Sequence, residues 1–160
     1  MRKKRVYKKY HKADQKYGRV DIGRFVGYVM KDGKKSVAER VVYDAFDLIH
    51  KISKEDPISI FEKALENVSP QIEVVSRRVG GANYQVPHEV TPARRFTLSV
   101  RWLVAASRSK KGKTMAQNIA EEVIAASKNE GSAIKKKQDM HRMAEANRAF
   151  AHFARSYSRS

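Results

Sequence analysis

Cysteine is absent from this 160-residue chain, so disulfides, thiolate zinc sites and thiol chemistry are excluded. Missing too is any apolar run approaching the roughly 18–20 residues that a membrane-spanning helix needs. The basic start leads into polar sequence without a signal-type apolar stretch, which points to a cytosolic protein with no membrane partner. Acidic residues are scarce: 17 Asp and Glu face 34 Lys and Arg, for a formal net charge of +17. Charge so strongly of one sign repels itself across a compact chain and attracts polyanions, which makes nucleic acid the natural counterpart. What is present in ordinary measure is apolar content, 41%, enough in a chain of this length for a single core.

Residues 1–19 carry nine cations against one acid, Asp14, and have little to bury. They are expected to form a basic N-terminal arm that orders on nucleic acid, with Tyr7, Tyr10 and Tyr17 available to stack on bases; a solvated tail is the plainer alternative. Residues 20–153 are expected to fold as one helical RNA-binding domain, and residues 154–160 to form a C-terminal tail.

Apolar residues at helical spacing define the elements. Ile22, Phe25, Val26, Val29 and Met30 line a short first helix that stops at Lys31-Asp32-Gly33, and Gly23 and Gly27 leave a smooth strip for another backbone. Val37, Val41, Ala45, Leu48 and Ile52 mark a second helix with Ser36 as its N-cap. Asp56-Pro57 opens a third, whose apolar residues are Ile58, Phe61, Leu65 and Val68, and Pro70 stops it. The period then changes. Residues 71–90 combine β-branched Ile72, Val74 and Val75, turn formers Gly80, Gly81 and Asn83, and an alternating second strand, which predicts a β-hairpin; Pro87 and the polar strands imply that it protrudes.

Thr91-Pro92 starts a fourth helix through Phe96, Val100, Leu103 and Val104, expected to be central. A basic loop follows, then a Thr114/Gln117 capping box before Met115, Ile119 and Val123, with Gly131 closing the fifth helix. A sixth carries Met140, Met143, Asn147 and Phe150. Lys135, Lys136 and Lys137 at its start oppose the helix dipole, an arrangement better explained by an anionic ligand. The expected fold is therefore mostly α: a single domain of about six helices with a protruding β-hairpin between the third and fourth.

No catalytic set emerges. His141, Glu145, Arg148 and His152 repeat along one helical face, but eleven residues at 1.5 Å rise separate the two histidines by about 16 Å, too far to share a metal or a proton. Gly80-Gly81 lacks the context of a dinucleotide fingerprint, and Gly112-Lys113-Thr114 lacks the first glycine of a phosphate-binding loop. Neither an enzyme nor a cofactor is expected.

Five motifs occur in order: Lys31-Asp32-Gly33-Lys34-Lys35-Ser36; Ala64-Leu65-Glu66-Asn67-Val68 to Pro70; Ser76-Arg77-Arg78-Val79-Gly80-Gly81 through Tyr84-Gln85-Val86-Pro87; Arg101-Trp102; and His141-Arg142-Met143-Ala144-Glu145-Ala146-Asn147 with Ala149-Phe150-Ala151-His152. Together they resemble the bacterial small-subunit ribosomal protein seven family, although the segment before Gly18 lacks the proline usual there. The resemblance implies six helices and one hairpin arm. It also implies a structural constituent of the cytoplasmic small subunit that binds the 3′ major domain of 16S rRNA early and nucleates assembly of the head. Such a protein lies at the subunit interface near the decoding centre and exit-site tRNA, with small-subunit ribosomal proteins nine and eleven as neighbours.

The expected rRNA surface comprises Arg2, Lys3, Lys4, Arg5, Lys8 and Lys9 of the arm with Lys34, Lys35, Arg94, Arg95, Arg101, Arg108, Lys110, Lys111, Lys113, Lys135, Lys136, Lys137 and Arg142. Most would meet phosphates, which position a protein without reading sequence, so specificity is left to RNA shape and a few base contacts. Arg77, Arg78, Gly80, Gly81, Asn83, Tyr84 and Gln85 are expected to approach exit-site tRNA or mRNA, unless the hairpin packs on its own domain or a neighbour. A DNA-architectural protein of nucleoid type is the alternative for a basic helical domain with an arm.

Overall fold

The structure, a computed structural model, describes residues 11–155. Its elements run α1 (Val20–Val29), α2 (Lys35–Ser53), α3 (Pro57–Val68), β1 (Ile72–Val79), β2 (Ala82–Glu89), α4 (Pro92–Ser109), α5 (Met115–Ser127) and α6 (Ser132–Ala146), followed by a 3₁₀ turn (Arg148–Phe150) and a one-turn α7 (His152–Arg155). Six helices with a two-stranded antiparallel hairpin between the third and fourth is the expected architecture.

Helix starts follow local chemistry. Asp56 caps α3 by accepting from the Ile58 and Ser59 N–H groups with Pro57 at the first helical position, and Thr114 and Gln117 close a reciprocal capping box on α5. Ser36, by contrast, lies inside α2; the chain enters that helix through Lys34 after a turn in which Asp32 and Gly33 both take positive φ. Gly131 does not close α5 either. Asn129 does so, with φ +61° and its N–H on the Ala126 carbonyl, while Gly131 begins α6.

The core lies where α2 and α3 meet α5, with α1 packed on α2. Phe61 sits at its centre, its ring 5.0 Å from Phe25 and 5.4 Å from Phe46, all three essentially inaccessible to solvent. Rather than α4, the most enclosed helix is α5, packed on α2, α3 and α4; Ala116, Ala120 and Ala126 let those neighbours approach closely. The apolar face of α2 is broad, because α1, α3 and α5 all pack on it. Its centre runs through Ala38, Val42, Ala45, Phe46 and Ile49, one residue on from the row named from sequence, so Val37 and Ile52 at the edge are 55% and 61% exposed.

The expected arm is tied down before it ends. Asp14, buried, accepts from the Lys16 and Tyr17 N–H groups and from the Tyr43 hydroxyl at 2.6 Å. Tyr17 packs on Tyr43 and Phe46 rather than presenting a free face to a base. Gly23 makes room for this segment: a Cβ there would stand 2.6 Å from the Lys12 carbonyl oxygen.

In the hairpin, Gly80 and Gly81 form a two-residue turn with φ +57° and +91°, the signature of a type I′ connection, and Asn83 belongs to β2 opposite Arg78. The base is anchored by buried Val86, Pro87 and Val90 and by Glu73, which pairs with Arg94 and His88. Along its length the hairpin leans on α6, the 3₁₀ turn and α7, leaving Arg78, Gly80, Gly81, Ala82 and Asn83 at the tip exposed.

Candidate nucleic-acid interface

The expected cations within the described residues fall into two groups according to what their side chains meet. Several are engaged inside the protein. Arg94 grips Glu73 through Nε and Nη2 at 3.2–3.3 Å, and Arg95 donates from Nε to the Val90 carbonyl at 3.0 Å. Arg108 caps the C-terminal end of α1, donating to the Tyr28 and Val29 carbonyls at 3.3 and 3.2 Å. Lys110 pairs with Glu122 at 2.8 Å, Lys113 with Glu121, and Lys137 donates to the Asn67 carbonyl at 2.7 Å. Desolvation by burial holds the Lys137 ammonium below the usual lysine range, whereas Lys113 beside Glu121 lowers that carboxyl.

The others remain open to a partner. Among the described residues, Lys34, Arg101, Lys111, Lys135 and Lys136 are exposed and meet no carboxylate, while Lys35–Glu39 at 3.4 Å and Arg142–Asp139 at 3.8 Å are exposed helix-surface pairs of small energetic weight. Position matters here as much as charge. Lys34 and Arg108 line one groove of about 270 Å³ together with Lys31, a cation not singled out from sequence although it stands in the same basic motif. Arg24 was likewise unsingled; its guanidinium lies 3.9 Å from the Phe96 ring centre, where α1 meets α4.

At the hairpin, Arg78, Gly80, Gly81, Asn83 and Gln85 are exposed, and Arg77 is half-buried. Tyr84 is covered: its ring centre lies 5.1 Å from Phe150 and 5.5 Å from Phe153. Arg2, Lys3, Lys4, Arg5, Lys8 and Lys9, with Tyr7 and Tyr10, lie outside the described residues.

Among the described residues the arrangement suits binding. His141 accepts at Nε2 from the Gln71 N–H at 3.3 Å, the His152 ring lies tilted 4.0 Å from that of Phe153, and α6 ends at Ala146, so the four-residue row does not continue along one helix. Among the described residues no group of three or more His, Asp or Glu is placed to hold a metal, and no helix is long and apolar enough to cross a membrane.

Comparison with known proteins decides the lineage. Residues 1–148 match the model of the family described as ribosomal protein S7p/S5e. The chain belongs to that family. Small ribosomal subunit protein uS7 of Marinobacter nauticus is 56% identical over 140 residues, covering 88% of this chain and 90% of its own length. Its counterpart in Thermotoga maritima is 53% identical over 153 residues, covering 96% and 99%, and that of Dechloromonas aromatica 52% over 152 residues, covering 95% and 97%. As a member of the S7p/S5e family the chain is a ribosomal, RNA-binding component of translation and not an enzyme, in agreement with the absence of any catalytic set in its sequence.

Proposed function

We propose that this protein binds the 3′ major domain of 16S rRNA early and nucleates assembly of the head, and that its hairpin tip approaches exit-site tRNA and mRNA at the subunit interface near the decoding centre. The setting is not in question: as an S7p/S5e protein the chain is a constituent of the small subunit of the cytoplasmic ribosome. Small-subunit ribosomal proteins nine and eleven are its proposed neighbours.

The observation that carries the reading is a set of exposed cations, Lys34, Arg101, Lys111, Lys135 and Lys136, that meet no acidic partner among the described residues, on a chain of net charge +17. Lys135 ends the first turn of α6 and Lys136 follows it, close to the helix start where the dipole disfavours cations unless an anion is present. The internally engaged cations fit the same reading in a second role: they fix the α4–α5 loop and the hairpin base, so that the free ones present a defined shape. At the tip, Arg78, Asn83 and Gln85 with Gly80-Gly81 offer polar groups and bare backbone, while Tyr84 holds the segment that follows α6.

A salt-titrated comparison between a fragment of the 3′ major domain and a length-matched unrelated RNA tests this. Neutralising about eight phosphates gives a slope of log affinity against log salt of roughly −6 to −7. The fragment should remain bound at salt where the unrelated RNA has dissociated. Equal affinity at every salt sinks shape-specific binding.

A further inference from the structure

The α6 helix lacks a cap of its own. Its N-cap position is Gly131, which has no side chain to offer the first turn, and the helix starts with three lysines close behind. The missing acceptor comes from another helix. Glu122 of α5 is 1% exposed, and its Oε1 accepts from the Ala133 N–H at 2.9 Å. Its Oε2 meets Lys110 Nζ at 2.8 Å. One buried carboxylate thus joins the beginning of α6 to the basic loop between α4 and α5.

Two further contacts serve the same junction. Asn118, also on α5 and buried, donates from Nδ2 to the Lys110 carbonyl at 3.2 Å, so Lys110 is held by backbone and side chain at once. Gly131 is required for the carboxylate to reach its place: φ there is +95°, and a Cβ would stand 2.8 Å from Glu122 Oε1. Burying a carboxylate this deep is costly unless polar partners meet it, and here the Lys110 ammonium and the Ala133 N–H do so.

We propose that Glu122 is a positioning residue for RNA recognition: it locks the Lys110–Lys111–Lys113 loop and the Lys135–Lys136–Lys137 turn into one rigid body, fixing the spacing at which two groups of phosphates are met. This rests on the rRNA-binding reading above. Rigid placement of contacts favours one folded RNA shape over others, whereas affinity for any polyanion depends on charge alone.

The sign of the effect separates positioning from charge. Glu122→Gln leaves an amide oxygen to accept from Ala133 but abolishes the pair with Lys110, and takes the net charge from +17 to +18. Charge alone makes this variant bind every RNA more tightly. Positioning makes it bind the 3′ major domain fragment roughly tenfold more weakly while its affinity for unrelated RNA holds or rises. Gly131→Ala is the second variant, neutral in charge, with a Cβ that pushes the carboxylate from its seat; it too should lose preference for the fragment and keep its unrelated-RNA affinity. Hydrogen exchange of the Ala133 amide in the full chain reads the junction directly, with protection kept in Glu122→Gln and lost in Gly131→Ala. Undiminished affinity of either variant for the fragment overturns the proposal, while a wild-type chain with no preference between the two RNAs overturns the rRNA reading itself.

Discussion

Phe61 and Tyr84 each sit at the centre of a ring cluster of similar dimensions, yet they hold together regions of different character. Phe61 touches Phe25 and Phe46 at 5.0 and 5.4 Å inside the helical body, with no solvent access. Tyr84 touches Phe150 and Phe153 at 5.1 and 5.5 Å on the hairpin, and all three rings remain partly exposed. Ring geometry is therefore not what distinguishes body from arm; the depth of the surrounding apolar shell is. In the body, helices close over the rings from several sides. In the arm, a two-stranded ladder, one side of α6 and a short C-terminal segment must suffice, and an isolated hairpin is marginal in water.

Breaking the body should have the largest effect. Phe61→Ala removes a ring from a site that cannot collapse without moving α1 and α2, at a cost of about 3–5 kcal/mol, seen as a cooperative loss of thermal stability. A fall of well under 1 kcal/mol would mean that the three-phenylalanine centre is not what holds α1, α2 and α3 together.

The arm depends more on charge. Glu73, buried at the hairpin base, meets Arg94 at 3.2 Å and His88 at 3.4 Å, and so ties β1 to β2 and to the start of α4. Glu73→Ala leaves two cation-forming side chains that reach solvent, so the expected cost is about 2 kcal/mol and should be local. Amide protection in residues 72–89 should drop while that of Ile119 and Val123 in α5 stays at its wild-type level. A uniform drop across both regions would show that body and arm unfold as one unit and erase the distinction.

How much of each region could be read from sequence follows from the same contrast. Features that need only near neighbours were legible: Asp56-Pro57, the Thr114/Gln117 box and the Gly80-Gly81 turn each satisfy backbone groups within a few residues. The α2 face was displaced by one position because its apolar residues span a broad arc, and only the three helices packed on it decide where the centre falls. For the cations, sequence conveys sign and abundance but not partner. Nothing local marks Lys110 as bound to Glu122, Arg94 to Glu73 or Lys137 to the Asn67 carbonyl, since those contacts join residues 12, 21 and 70 positions apart. The ring partners of Tyr84 were hidden for the same reason: they arrive from beyond the end of α6.

The gentlest way to separate arm from body is pH, through His141. That ring lies on α6 but accepts at Nε2 from the Gln71 N–H, the first link between body and hairpin. Desolvation by burial pushes the imidazole below its ordinary range, and the nearby Lys137 ammonium adds to this. A histidine lowered in this way favours folding while neutral. Its contribution is fully present above the unfolded value of about 6.5 and is lost as pH falls through the lower folded value. Protonation converts Nε2 from acceptor to donor, so the Gln71 amide should lose protection over that window while Ile119 does not. The His141 imidazole shifts followed by NMR should place the midpoint below 6.5, and Lys137→Gln should move it upward by removing one of the two causes. A midpoint that does not respond to Lys137→Gln would leave burial alone responsible, and a Gln71 amide indifferent to the His141 transition would show that the hairpin base is held by Glu73 without help from this ring.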